Sequence, residues 1–212
     1  MPNDLYSKLI SKLCQKYIKK NLKVFDCGCG DGVHTSILKK YSKNVIGGDL
    51  DNRTRKEFNI PFRKIEIDSF GKENEFDIVT AFDVIEHVEN DHSFLKELIR
   101  ITKKGGIIII GTPNKNRLSN KIRILIKGQI HYPRNLGYHY SSGGDIVHLR
   151  EYTKDELLQL VENVSNIKKV EVISGFFGLY TFIGAIGFTG ILKQKILSEY
   201  AQHIFIILVK KL

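Results

Sequence analysis

Cysteine is scarce and poorly placed for cross-linking. The 212 residues hold three, Cys14, Cys27 and Cys29. An odd count, with two of the three inside one tight turn, argues against a disulfide framework. Cys27 and Cys29 also lack a second Cys or Cys/His pair to complete a metal site, so no metal is assigned. No charge-free run reaches a secure membrane-span length, and the charged N-terminus lacks a signal-peptide pattern. The expected location is therefore the cytoplasm. There is no internal repeat and no linker-like stretch, which predicts one domain over residues 1–212. Hydrophobic residues make up 42% and charged residues 26%, which excludes a disordered chain and suffices for an α/β core. Acids are in deficit: 23 against 33 Lys and Arg, a net charge of +10. That balance fits an anionic partner such as nucleic acid, a membrane surface or an acidic substrate, or else plain lysine-rich composition.

The densest information lies between residues 24 and 32. The apolar pair Val24-Phe25 ends at Asp26, and glycines follow at alternate positions, Gly28, Gly30 and Gly32. A helix-like stretch begins at Val33. This is a strand, a glycine turn and a helix start, an arrangement that brings a ligand close to the backbone and to free N–H groups. The dinucleotide fingerprint would need glycine at position 33, where Val33 stands.

Periodicity supplies the frame. Apolar residues at Leu5, Leu9, Leu13 and Tyr17 predict a helix over 5–20. Strands are predicted at 23–26, 44–49, 63–68, 76–81, 107–111, 168–174 and 204–209. Helices are predicted at 33–41 and 92–102, the second closed by Gly105-Gly106. A capping box, Thr153 with Glu156, opens another helix. Strands alternating with helices imply an α/β fold with a parallel sheet and right-handed crossovers. Residues 115–144 interrupt the pattern with six basic residues, no acid, and interleaved Tyr132, Tyr138, Tyr140, His131 and His139. Residues 175–192 form a charge-free stretch with five glycines.

The motifs in order resemble the class I S-adenosylmethionine-dependent methyltransferases. The match runs from about Lys23 to Lys210 and is closest to the small-molecule branch, ubiquinone-biosynthesis-type O-methyltransferases. Asp-x-Gly-x-Gly-x-Gly at 26–32 resembles the first family motif, Val45 to Leu50 the second, and Ile67 to Phe70 the third. Phe76-Asp77 through Glu86-His87-Val88 resembles the fourth, and His148 to Thr153 the segment before the next helix. The resemblance implies a Rossmann-like, seven-stranded, mostly parallel sheet with helices on both faces. It also implies a cap insertion after strand 5, over 115–145.

It further implies S-adenosylmethionine as cofactor. The turn residues Asp26, Gly28, Cys29, Gly30, Asp31 and Gly32 would line it. Asp49 would accept from the ribose hydroxyls and Leu50 would pack on the adenine. Asp68 would contact the adenine amino group beside Ser69, and Ala81, Asp83 and His87 would complete the pocket. A base helps when the acceptor is a hydroxyl. Candidates are His148 and His87, then Tyr152, His131 and His139. Asp83, Glu86 and His87 also resemble a divalent-metal cluster of quinone O-methyltransferases, although hydrogen bonding to cofactor or backbone is the favoured use.

The expected activity is O-methylation of a small, hydrophobic or lipid-linked acceptor. The rivals are an RNA or protein methyltransferase and a noncatalytic cofactor-binding member of the fold. Leu118, Ile122, Leu125 and Ile126 share a helical face with Lys121, Arg123 and Lys127 beside it, a pattern that suits peripheral contact with an anionic membrane. The alternatives are a nucleic-acid surface or a plain substrate lid.

Overall fold

The computed structural model describes residues 5–66, 69–140, 144–181, 184–188 and 195–212. Its centre is a seven-stranded sheet built from β1 (Lys23–Cys27), β2 (Asn44–Asp49), β3 (Phe62–Lys64), β4 (Phe76–Phe82), β5 (Thr102–Pro113), β8 (Ile167–Ser174) and β11 (His203–Lys210). The strand order is β3-β2-β1-β4-β5-β11-β8. All neighbours pair parallel except β11, which runs antiparallel to both β5 and β8. The order reverses between β1 and β4, and in open α/β sheets ligands bind where the order reverses, at the strands' carboxyl ends. Outside this sheet lie two hairpins, β6 (Arg134–Tyr140) with β7 (Gly144–His148) and β9 (Phe177–Thr181) with β10 (Gly184–Phe188).

Helices α1 (Leu5–Tyr17), α2 (Val33–Leu38), α3 (Asp91–Ile101), α4 (Leu118–Lys127), α5 (Lys154–Glu162) and α6 (Lys195–Glu199) complete the chain. Strand residues alternate between two cores because successive side chains point to opposite faces. Val24, Ile78, Ile109 and Phe205 pack with Ile10 and Leu13 of α1 and with Leu38 of α2. Phe25, Val79, Ile108 and Ile206 pack with Leu95 and Leu98 of α3 and with Leu157 and Leu160 of α5.

Most predicted elements appear, and the differences have local causes. Helix α2 stops at Leu38, because the next N–H groups of Lys40 and Tyr41 bond three residues back and tighten the turn. Helix α3 does not use Gly105-Gly106 as its cap. Thr102 is already extended and pairs with Phe76, so the glycines fall in a bulge of β5 before Ile107. Strand β3 spans Phe62–Lys64, shorter than the predicted 63–68, of which residues 67 and 68 lie outside the described residues. The predicted capping box is present, with Thr153 Oγ1 accepting from Glu156 N and Glu156 accepting from Thr153 N.

At the end of β1, Asp26 is buried and both its oxygens are taken. Thr35 Oγ1 of α2 donates to one at 2.5 Å and Thr80 Oγ1 of β4 donates to the other at 2.6 Å. Burial raises the carboxyl from 3.8 to about 6, and the two threonine bonds only partly offset it. The folded state therefore holds this proton more tightly than the unfolded chain does. That contribution is fully present below pH 4 and is lost as pH rises through 6, a change of about 3 kcal/mol. Urea unfolding of wild type and Asp26→Asn across pH 4–7 should show wild type losing up to about 3 kcal/mol relative to the variant. A pH-independent difference would mean that Asp26 titrates normally.

Candidate active site

The carboxyl ends of β1, β2, β4 and β5 gather the predicted residues. The β1 turn is held to β2 by the N–H groups of Gly28 and Cys29, both donating to Gly48 O at 2.7 and 3.0 Å. Gly28 has φ +74°, and a Cβ there would meet Val84 Cγ2 at 2.4 Å. Gly30 has φ +52° with nothing within 4 Å of a built Cβ, so the turn's backbone is open at that point. Asp31 caps Val33 N through Oδ1 and pairs with Arg55 through Oδ2. Cys29 is buried against Gly47, and burial raises its thiol well above the ordinary range, so it is no nucleophile.

Asp49 ends β2 beside this turn. Its Oδ2 accepts from Gly30 N at 2.8 Å and its Oδ1 from Leu50 N at 2.7 Å, with Arg53 3.4 Å away. A carboxylate has about four acceptor positions, so capacity for a diol remains. Leu50 stands half exposed at the rim, 52% accessible. An acceptor carboxylate, an apolar rim residue and an uncovered glycine backbone fit an adenosine-bearing cofactor. Asp26 lies beneath the turn rather than facing it. Ser69 is exposed and Ala81 is buried in β4. Asp68 and the side chains of Tyr138, His139 and Tyr140 lie outside the described residues.

Past β4 lies a cluster of titratable groups. Asp83 has φ +54°, unusual for a non-glycine residue, and its N–H bonds Gly111 O at 2.8 Å. Its Oδ1 lies 3.5 Å from His203 Nε2 and away from water, and desolvation raises the carboxyl to about 7. Glu86 is wholly buried; burial, then the charge of Asp83, pushes its carboxyl well above the usual range. Thr112 Oγ1 donates to Glu86 Oε2 at 2.9 Å, whereas Oε1 has no hydrogen-bond partner among the described residues. That orphaned oxygen lies 3.9 Å from His87 Nε2 and 4.0 Å from His148 Nε2. The two imidazoles meet edge to face at 4.9 Å.

Other bonds fix what these nitrogens can do. His87 Nδ1 meets Val147 O at 2.8 Å, and a carbonyl only accepts, so Nδ1 carries the proton and Nε2 the lone pair. Burial lowers the basicity of His87. His148 Nδ1 meets Glu151 Oε1 at 2.8 Å. Glu86, His87 and His148 thus turn three donor atoms to within 4.8 Å of one another. That space suits a hydroxyl, or a divalent ion if Glu86 gives up its proton.

The remaining base candidates are placed elsewhere. Tyr152 is buried and donates to Asp91 at 2.8 Å, and His131 is exposed. The site residue that the motifs passed over is Glu151. It is buried beneath His148, and its only trace in the sequence is its place between Arg150 and Tyr152.

Comparison with known proteins agrees with this geometry. A family model described as a methyltransferase domain matches residues 3–164. The ubiquinone biosynthesis O-methyltransferase of Pelagibacter ubique is 30% identical over 105 residues, 45% of this chain and 44% of that protein. That of Rickettsia bellii is 29% identical over 167 residues, 71% of this chain and 69% of that protein. The chain spans about half the length of the first curated relatives it matches. A solved methyltransferase from Thermotoga maritima, described as a possible histamine N-methyltransferase, superposes with TM-score 0.67 at 17% identity, covering 98% of this chain and 90% of that one. The magnesium protoporphyrin IX methyltransferase of Synechocystis, solved with bound S-adenosylhomocysteine, gives 0.61 at 13% identity, covering 97% and 84%. The structures establish the fold, and the family model covers most of the residues that build the glycine turn and the histidine pair. The chain belongs to the class I S-adenosylmethionine-dependent methyltransferase family.

Proposed function

We propose that the protein methylates an oxygen of a small, hydrophobic or lipid-linked acceptor, with S-adenosylmethionine as methyl donor. The observation that carries this reading is the orphaned Glu86 Oε1 facing two imidazole Nε2 atoms. A hydroxyl can donate to one nitrogen while accepting from a neutral Glu86. The O-methyltransferase relatives point the same way. Asp49, Leu50 and the Gly28–Gly32 turn would hold the cofactor, with residues 115–145 as a cap on one domain over 1–212. When bound, S-adenosylmethionine supplies a methyl already activated by the sulfonium charge. The protein's own work is to orient the acceptor, exclude water and take its proton, here on His148 Nε2.

Asp49→Ala should weaken S-adenosylmethionine binding by about 1.5–3 kcal/mol by calorimetry, the worth of charged hydrogen bonds. An unchanged dissociation constant in a folded variant removes the ribose role. For the acceptor, wild-type protein and labelled S-adenosylmethionine are incubated with lipid, quinol, glycan and RNA extracts. Label should enter an organic-soluble product, as a methyl ether stable to mild base. Label confined to RNA or protein would replace this reading, and cofactor binding without transfer to any extract would favour a noncatalytic role.

A second reading concerns α4. From Lys121 to Lys127 every residue is exposed, Leu125 at 87% and Ile126 at 74%. Arg117 turns inward to Glu151 and Lys115 pairs with Glu156, which leaves Lys121, Arg123 and Lys127 on the outer turns. We read this face as a peripheral contact with an anionic membrane. Each cation contributes about 1 kcal/mol there, and the apolar residues add burial. No helix among the described residues is long and apolar enough to cross a membrane. Vesicles rich in phosphatidylserine should co-sediment the protein at low salt and lose it as salt rises. Lys121→Glu, Arg123→Glu, Lys127→Glu should abolish that. Pelleting that the triple variant shares equally would move the contact off α4.

A further inference from the structure

We propose that Glu151 is a positioning residue: it holds His148 in the tautomer that can take a proton, and it ties that histidine to helix α4. The inference rests on the proton-acceptor reading of His148 given above.

The Glu151 carboxylate is buried and receives donors from three side chains at hydrogen-bond distance. His148 Nδ1 lies 2.8 Å from Oε1, Arg117 Nη2 donates to the same oxygen at 2.8 Å, and Arg117 Nη1 donates to Oε2. Asn120 Nδ2 donates to Oε2 at 2.8 Å, and Arg134 Nη1 stands 3.9 Å from Oε1. Burial alone would push this carboxyl up, but the bonds from His148, Arg117 and Asn120 outweigh it and hold it well below the usual range. It is therefore an anion and can only accept. His148 must put its proton on Nδ1, which leaves the lone pair on Nε2. That nitrogen is the one facing Glu86 Oε1 and the edge of His87.

A plain structural ion pair would not need the imidazole. Arg117 satisfies both carboxylate oxygens by itself, in the two-pronged geometry that guanidinium and carboxylate favour. The added imidazole turns its second nitrogen, Nε2, toward Glu86 in the candidate site. The other ligands belong to α4: Arg117 is its N-cap residue and Asn120 lies in its first turn. One carboxylate thus joins an exposed helix to the proton acceptor.

Replacement by glutamine makes the idea testable, since the amide has one accepting and one donating end. Arg117 Nη1 and Asn120 Nδ2 both donate at the Oε2 position, so the carbonyl takes that place and the NH2 falls at the Oε1 position, where it faces His148 Nδ1 and favours the proton on Nε2, the tautomer that cannot accept there. The test uses the full chain labelled with 15N-histidine at neutral pH. Of its seven histidines, His148 is assigned by its loss in His148→Gln. Wild type should show the Nδ1–H tautomer, and Glu151→Gln the Nε2–H tautomer. Turnover with the acceptor from the extract screen should fall about 100-fold or more in Glu151→Gln, with S-adenosylmethionine affinity unchanged. In a His148→Ala background the same replacement should cost less than about twofold, because the two residues act as one unit.

An Nε2–H tautomer in wild type would overturn the proposal and leave the methyl-transfer reading standing. So would an equal loss in the His148→Ala background. Full turnover in His148→Ala would overturn the proton-acceptor reading and this role of Glu151 with it. The wild-type spectrum needs no change at Glu151, so the proposal can fail even if Glu151→Gln does not fold.

Discussion

The buried bridge Thr35–Asp26–Thr80 sets the geometry on which the candidate site depends. Asp26 lies next to last in β1, and its two oxygens hold the first turn of α2 and the middle of β4. A glycine turn leaving β1 has wide backbone freedom, so its path must be fixed from outside. Asp26 fixes it from below, and Gly48 O fixes it from the side through Gly28 and Cys29. With the turn held on both sides, Asp49 can reach Gly30 N from β2, and Val84 closes on Gly28 from β4. Loosening Asp26 would separate α2 from β4 and open the place where strand order reverses.

Carboxyl groups of the same chemistry are pushed in opposite directions along this edge because their neighbours differ. Asp26 and Glu86 have hydroxyl partners and Asp83 a 3.5 Å contact with His203, and desolvation raises all three. Glu151 is as buried but has a guanidinium, an amide and an imidazole around it, and stays ionised. Environments that push like groups apart are what acid–base chemistry requires. Here Glu86, whose carboxyl burial pushes up, and the anionic Glu151 face the two ring nitrogens of one histidine, His148. In the proton transfer proposed above, an uncharged Glu86 would spare the acceptor oxygen a repelling charge, and the anion would stabilise the imidazolium.

The sequence made the local elements of the glycine-turn side of the candidate site legible and the meeting of the histidines less so. Alternate glycines, the strand ending at Asp49 and the Thr153 capping box are local patterns, and local chemistry produces them unaided. His148 and His87 could be named individually, but not their meeting, because they are joined only by the packing of β7 against the short helical turn at Ile85–His87. Glu151 lay one residue before Tyr152 with nothing to mark it. Its main partner is Arg117, thirty-four residues away. The glycine cap predicted for α3 failed for a related reason: Thr102 gains a pairing partner in Phe76, and a tertiary ladder overrides a local stop signal. The basic insertion read correctly as a helix with an apolar stripe. Periodicity could not tell that the stripe faces outward, since an amphipathic helix looks the same whether its apolar face meets a core or a lipid.

The two halves of α4 therefore have different constraints. Its first turn is locked, with Asn120 buried and Arg117 doubly bonded to Glu151, while the residues beyond stand in solvent. Arg117 Nη2 and His148 Nδ1 share the single oxygen Oε1, each at 2.8 Å. A hydrogen bond is largely lost once its heavy atoms separate beyond about 3.5 Å, so a displacement of under 1 Å at Arg117 already redistributes the charge on that oxygen. The histidine feels the change directly, because a carboxylate less fully used by the guanidinium is a stronger acceptor for the imidazole proton. The first turn of α4 is thus connected to His148, the proton acceptor proposed above, through two bonds and one carboxylate, with no rearrangement of the sheet required.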